Sequence, residues 1–151
     1  LMLHSMEMTP PINPSVSSLA VIRSCRGVRD QSDDLRLRHC RKPVVMAPTS
    51  VRHPVSWDLT IWQAPITLDK TEFRATFDSQ WALFRYPLNT YRALFDKGAN
   101  FNNSHFQKTA SFYKIVCQRQ CYFRGTHFEG AANFKRAYFN QAVDFTAATF
   151  K

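Results

Sequence analysis

The sequence predicts an all-β protein, a β-solenoid in which the chain coils and the coils stack. Three observations carry that reading. First, large residues recur in alternating steps of five and six at Phe95, Phe101, Phe106, Phe112, Cys117, Phe123, Phe128, Phe134, Phe139, Phe145 and Phe150, where only Cys117 is not Phe. Second, the position two residues before each is small (Ala93, Ala99, Ser104, Ala110, Cys121, Thr126, Ala132, Ala137, Val143 and Ala148), with Ile115 as the exception. Third, Ile115 stands before Cys117, the one site that lacks a ring, so bulk lost at one slot returns two residues earlier. Close-packed layers tolerate swaps that conserve volume, and such an exchange is what they demand.

Other periodic structures do not fit. On a helix a step of five places successive rings about 140° apart, so no single apolar face forms. On a flat strand an odd step sends the side chain to the opposite face. A chain that turns between sites, with each central residue and the residue two before it facing inward, satisfies both sets.

Taken in chain order, residues 1–54 read as a low-order tail. They hold no Phe, whereas all 13 Phe lie from Phe73 to Phe150, and they contain Pro10, Pro11, Pro14, Pro43, Pro48 and Pro54. The stretch RSCRGVRDQSDDLRLRHCRK at 23–42 alternates charge without an apolar face, consistent with a disordered tail or a basic docking segment. The lattice begins at about Val55 with Trp57, Trp62, Leu68, Phe73, Ser79, Phe84 and Thr90, and runs to the end of the chain. Ser79 and Thr90 repeat the exchange, because Phe77 and Leu88 occupy the slots two residues before them.

The repeats resemble the pentapeptide-repeat family, whose motif is A(D/N)LXX with Leu or Phe at the centre. ANF at 99–101, ANF at 132–134 and VDF at 143–145 match directly, and RAYF at 136–139 and AATF at 147–150 match without the acidic or amide residue. A sixth residue in alternate repeats places the chain with a Phe-rich branch of that family. The resemblance implies a right-handed, four-sided β-helix with one repeat per side. One coil is then 22 residues, and four inward columns follow. Phe101, Phe123 and Phe145 share one with Trp57 and Ser79, and Trp62, Phe84, Phe106, Phe128 and Phe150 form a second. Leu68, Thr90, Phe112 and Phe134 form a third, and Phe73, Phe95, Cys117 and Phe139 a fourth. The chain ends in mid-coil at Lys151 with a ring column open, so a truncated solenoid or end-to-end self-association is expected there.

The function classes are narrower than the fold. Lys and Arg outnumber Asp and Glu by 20 to 11, a net charge of +9. Outward Lys97, Lys114, Arg119, Lys135 and Arg136, with Tyr113, Tyr122 and Tyr138 among them, offer a surface for nucleic acid or an anionic membrane. The competing reading is a solvated rod whose charges oppose lateral association. Some members of the family resemble duplex DNA and bind type II topoisomerases in its place, but that mimicry needs an acidic surface, which the charge here opposes.

Cys117 and Cys121 in CQRQC are both inward sites, where Cys packs as a small apolar residue rather than as a metal ligand. His105 and His127 lie one coil apart with Glu129 nearby, a pair suited to a metal or to pH sensing if it is more than a chance coincidence of outward residues. Four Gly, no phosphate loop, no nucleophile elbow and no HExxH leave no catalytic, cofactor or metal assignment. No run of 18 apolar residues spans a membrane, and the N-terminus lacks the pattern of an export signal, so a cytoplasmic protein with reduced thiols is expected. The function expected is a non-catalytic scaffold for another, unidentified protein.

Overall fold

The computed structural model describes residues 39–46 and 48–151. The described chain is a four-sided coil built from two-residue strands in four parallel sheets. Side I holds His39–Cys40, Ile61–Trp62, Leu83–Phe84, His105–Phe106, His127–Phe128 and Thr149–Phe150. Side II runs from Val44–Val45 to Ala132–Asn133, side III from Ser50–Val51 to Tyr138–Phe139, and side IV from Val55–Ser56 to Val143–Asp144. Every pairing joins residues 22 apart, as in Phe106↔Phe128 and Phe95↔Cys117. The 22-residue coil that the resemblance implies is therefore the coil of the structure.

The corners explain the alternation of five and six. In the five-residue steps the central carbonyl accepts the N–H three residues on, as in Ser104 to Phe101 at 3.2 Å, Ala93 to Thr90 at 2.9 Å and Ala148 to Phe145 at 2.9 Å, except at Ser79, where the Ser104 hydroxyl stands between the Ser79 carbonyl and the Ala82 N–H. The residue before each donor is left-handed: Leu59, Lys70, Trp81, Arg92, Asn103, Lys114, Gly125, Arg136 and Ala147, with φ between 56° and 63°. A tight turn with positive φ at its third residue is type II, and it recurs every half coil. The six-residue steps turn through wider corners. The motif's Asp or Asn also has a physical cause, since Asn89, Asn100, Asn133 and Asp144 each accept the N–H two residues on, at 2.8–3.0 Å, and so close an Asx turn.

Inside, the rings stack as the columns require. Phe101–Phe123 and Phe123–Phe145 lie 5.2 Å apart within 11° of parallel, and Phe84–Phe106, Phe106–Phe128 and Phe128–Phe150 stack at 4.6–5.2 Å. Phe112–Phe134 and Phe73–Phe95 stack likewise. Trp57, Trp62, Leu68, Phe73, Phe84, Phe95, Phe101, Phe106, Phe112, Cys117, Phe123 and Phe128 are buried. In the last coil Phe134, Phe139 and Phe145 are half-buried, and Phe150 is 56% exposed although stacked on Phe128. The exchanged slots also pack as expected: Phe77, Leu88 and Ile115 are buried beside buried Ser79, Thr90 and Cys117. Between coils, Thr126 Oγ1 donates to the Phe101 carbonyl at 2.8 Å, and Ser104 Oγ donates to the Ser79 carbonyl while accepting the Ala82 N–H at 3.2 Å.

The tail expected over 1–54 differs from the structure in its last part. Residues 1–38 and 47 lie outside the described residues, but His39–Cys40, Val44–Val45 and Ser50–Val51 pair in register with Ile61–Trp62, Ile66–Thr67 and Glu72–Phe73. Cys40, Val44, Met46 and Val51 are buried in the inward columns. Their lower bulk hid them. Two of the prolines read as tail residues, Pro43 and Pro54, belong to the same lattice as Pro65 and Pro87, and each of the four precedes a strand at a wide corner. Pro65 and Pro87 need no N–H there, while their carbonyls accept Val44 and Ile66 of the coil before at 3.1 and 3.0 Å.

One wide corner depends on glycine. Gly98 has φ +83°, and a Cβ there would stand 2.3 Å from the Gln120 carbonyl oxygen of the next coil. Gly98→Ala is expected to cost roughly 2–3 kcal/mol, from left-handed strain plus displacement of the Gln120 carbonyl. Chemical denaturation of the variant checks this, and a midpoint equal to wild type refutes it.

Candidate functional site

Stacked coils convert every outward residue into a member of a column, and two columns stand out. The first runs along the corner between sides II and III. Its left-handed turn residues are Lys70, Arg92, Lys114 and Arg136, four cations at successive coils. Beside them Tyr91 and Tyr113 stack at 5.5 Å and 16°, with the Arg92 guanidinium 5.4 Å from the Tyr91 ring and Lys114 Nζ 5.4 Å from the Tyr113 ring. Cations over aromatic faces are held by the ring quadrupole, which orders these side chains along the ridge. Lys135 continues the tyrosine column. Lys97 and Arg119 lie one above the other at the corner between sides III and IV, with Arg52 and Arg74 in the same corner.

The cations are concentrated rather than spread evenly around the coil. Of fifteen Lys/Arg between His39 and Lys151, nine (Arg52, Lys70, Arg74, Arg92, Lys97, Lys114, Arg119, Lys135 and Arg136) flank side III, against Asp69, Glu72 and Asp96. Arg74 is engaged by Glu72 at 2.9 Å and Asp96 at 3.9 Å. Burial raises the Asp69 carboxyl above its ordinary range, opposed by the Tyr91 backbone N–H and by Lys70. Lys70 and Arg92 were missed in the sequence. Their signal was a residue two after a core site in each five-residue step.

The second column occupies the corner between sides IV and I: Leu59, Trp81, Asn103, Gly125 and Ala147. Asn and Gly tolerate left-handed backbone, whereas a bulky residue there is an outlier. Leu59 is 48% and Trp81 62% exposed at this strained position, with half-buried Ile61 and Leu83 beside them on side I and exposed Tyr86 beyond. Higher on side I the same outward column becomes His105, His127 and Thr149. The apolar patch is thus confined to two coils, and Trp81 is its apex. It too was missed, although an aromatic at a turn position was the available signal.

The remaining candidates resolve into packing. The His105 and His127 rings are 4.7 Å apart at 60°, His105 Nε2 lies 3.1 Å from Glu129 Oε2, and His127 Nδ1 meets Thr149 Oγ1. Lys151 Nζ also reaches Glu129, at 3.8 Å. Among the described residues no group of three or more His, Cys, Asp or Glu is disposed to hold a metal ion. Cys117 and Cys121 are free and buried, and the hydrogen bond with Cys117, then burial, pushes the Cys121 thiol well above its ordinary range. Both thiols pack inside the coil as small apolar side chains. The expectation that the cysteines are reduced thiols fails at Cys40, which is disulfide-bonded. No described helix is long and apolar enough to cross a membrane.

Comparison with family models, curated proteins and solved structures finds no match. The geometry itself establishes the architecture: an all-β solenoid of four parallel sheets with a 22-residue coil.

Proposed function

We propose that the chain is a non-catalytic scaffold of the pentapeptide-repeat type that docks another protein through the corner patch centred on Trp81. The observation that carries this reading is an exposed tryptophan on left-handed backbone, at a turn position where later coils place Asn and Gly. The turn itself needs no aromatic, since later coils place Asn, Gly and Ala there, so the exposed indole is free to serve a contact. Trp and Tyr dominate the energetic centres of protein interfaces, and Leu59, Ile61 and Leu83 supply the apolar surround.

Trp81→Asn tests this, because Asn suits the turn. The variant is expected to melt at or slightly above the wild-type temperature, since no core contact is lost. Used as bait beside wild type in the same lysate, it should lose the specific protein that wild type retains at high salt. The proposal is overturned if both baits retain the same proteins equally, or if wild type retains none. Trp57 and Trp62 are buried, so Trp81 is also the indole expected to be quenched by acrylamide and shielded when the partner binds.

A further inference from the structure

We propose that the ridge between sides II and III binds single-stranded nucleic acid through its phosphates, at a site separate from the Trp81 patch. Lys70, Arg92, Lys114 and Arg136 recur once per coil in equivalent turns. Neighbours in this row are separated by about one strand spacing, ~4.8 Å, so the ridge is straight and roughly 14 Å long. Like charges at that spacing repel, and among the described residues no ion pair neutralises any of the four. The corresponding turns on the opposite corner carry Leu, Trp, Asn, Gly and Ala, so the turn itself does not require a cation. Only Lys70 has a carboxylate beside it, Asp69, and a row of cations so little compensated is matched by a polyanion laid along it, with release of that polymer's counterions.

The surroundings favour a nucleic-acid strand over a lipid surface. Side II, which adjoins the ridge, presents Thr67, Asn89, Ser111 and Asn133 outward, a shelf of hydroxyl and amide groups. Such a shelf offers hydrogen bonds to sugars and base edges, and the one exposed apolar side chain of side II, Val45, lies a coil before Thr67, short of the four coils that carry the cations. The stacked Tyr91–Tyr113 pair stiffens the ridge and holds Arg92 and Lys114 over its rings. Four neutralised phosphates predict a salt slope of about −3, which is a roughly fifty-fold loss of affinity between 50 and 200 mM salt.

The experiment titrates the full chain into a labelled oligothymidylate, a duplex of mixed sequence and vesicles rich in phosphatidylserine, each across a salt series. Arg92→Gln/Lys114→Gln is compared with Arg85→Gln/Lys108→Gln, which removes the same charge from the corner between sides I and II. The ridge variant is expected to bind the oligothymidylate at least tenfold more weakly, with the salt slope about halved, while the control variant stays within about threefold of wild type. Three outcomes overturn the proposal: equal losses in the two variants, no oligothymidylate binding by wild type at low salt, and binding of vesicles or duplex in preference to the single strand. Both variants retain Trp81, so capture of a protein partner is measured independently.

Discussion

Replacing Phe123 by alanine is expected to lower the melting temperature by roughly 10–20 °C. The ring is fully buried and touched on every side. Phe101 and Phe145 stack on its two faces at 5.2 Å, and Phe112 and Phe134 meet it edge-on at 5.2 and 5.3 Å. Truncation leaves a ring-sized cavity that neighbouring coils, fixed at the strand spacing by their hydrogen bonds, cannot close. Buried Phe→Ala changes cost about 3–5 kcal/mol, and a domain of this size loses about 4 °C per kcal/mol. Tyr122→Ala, one residue away on the outer face, is the control and should shift the melt by only a few degrees. Equal shifts for the two would contradict the stacked-column core.

The second large effect tests whether the core conserves volume by register. Phe77→Ala is expected to destabilise by about 3–5 kcal/mol, because Phe77 contacts Phe73, Phe95, Trp57 and Phe101 at centroid separations of 4.7–5.6 Å. Adding Ser79→Phe to that variant should restore half or more of the loss. It would place a ring in the column between Trp57 and Phe101, where later coils carry Phe123 and Phe145, and it would remove the buried Ser79 hydroxyl, which has no hydrogen-bond partner. Ser79→Phe alone should be destabilising, since two rings would compete for one layer. Denaturant titration of the two single variants and the double variant gives the coupling directly. Additive losses would refute the exchange.

The inner half of this protein was legible because packing writes it into the chain. A slot of given volume at each corner, repeated every half coil, leaves a periodic record, and Phe77, Leu88 and Ile115 mark where the record shifts without breaking. The first described coil was not legible for the same reason. Cys40, Val44, Met46 and Val51 fill its slots with smaller side chains, and Pro43 and Pro54 resembled linker punctuation until the wide corners showed them to be in register with Pro65 and Pro87.

The sequence by itself therefore determined the inward lattice, and the family resemblance that its motifs carry added the 22-residue coil and the stacking partners. Only the tertiary structure decided what the outside presents. Outward residues answer to no volume constraint, so Lys70, Arg92 and Trp81 gain meaning only once the turns assign them to columns. They become neighbours through the left-handed turn that recurs every eleven residues, which aligns Lys70 with Arg92, Lys114 and Arg136 on one corner and Leu59 with Trp81 on another.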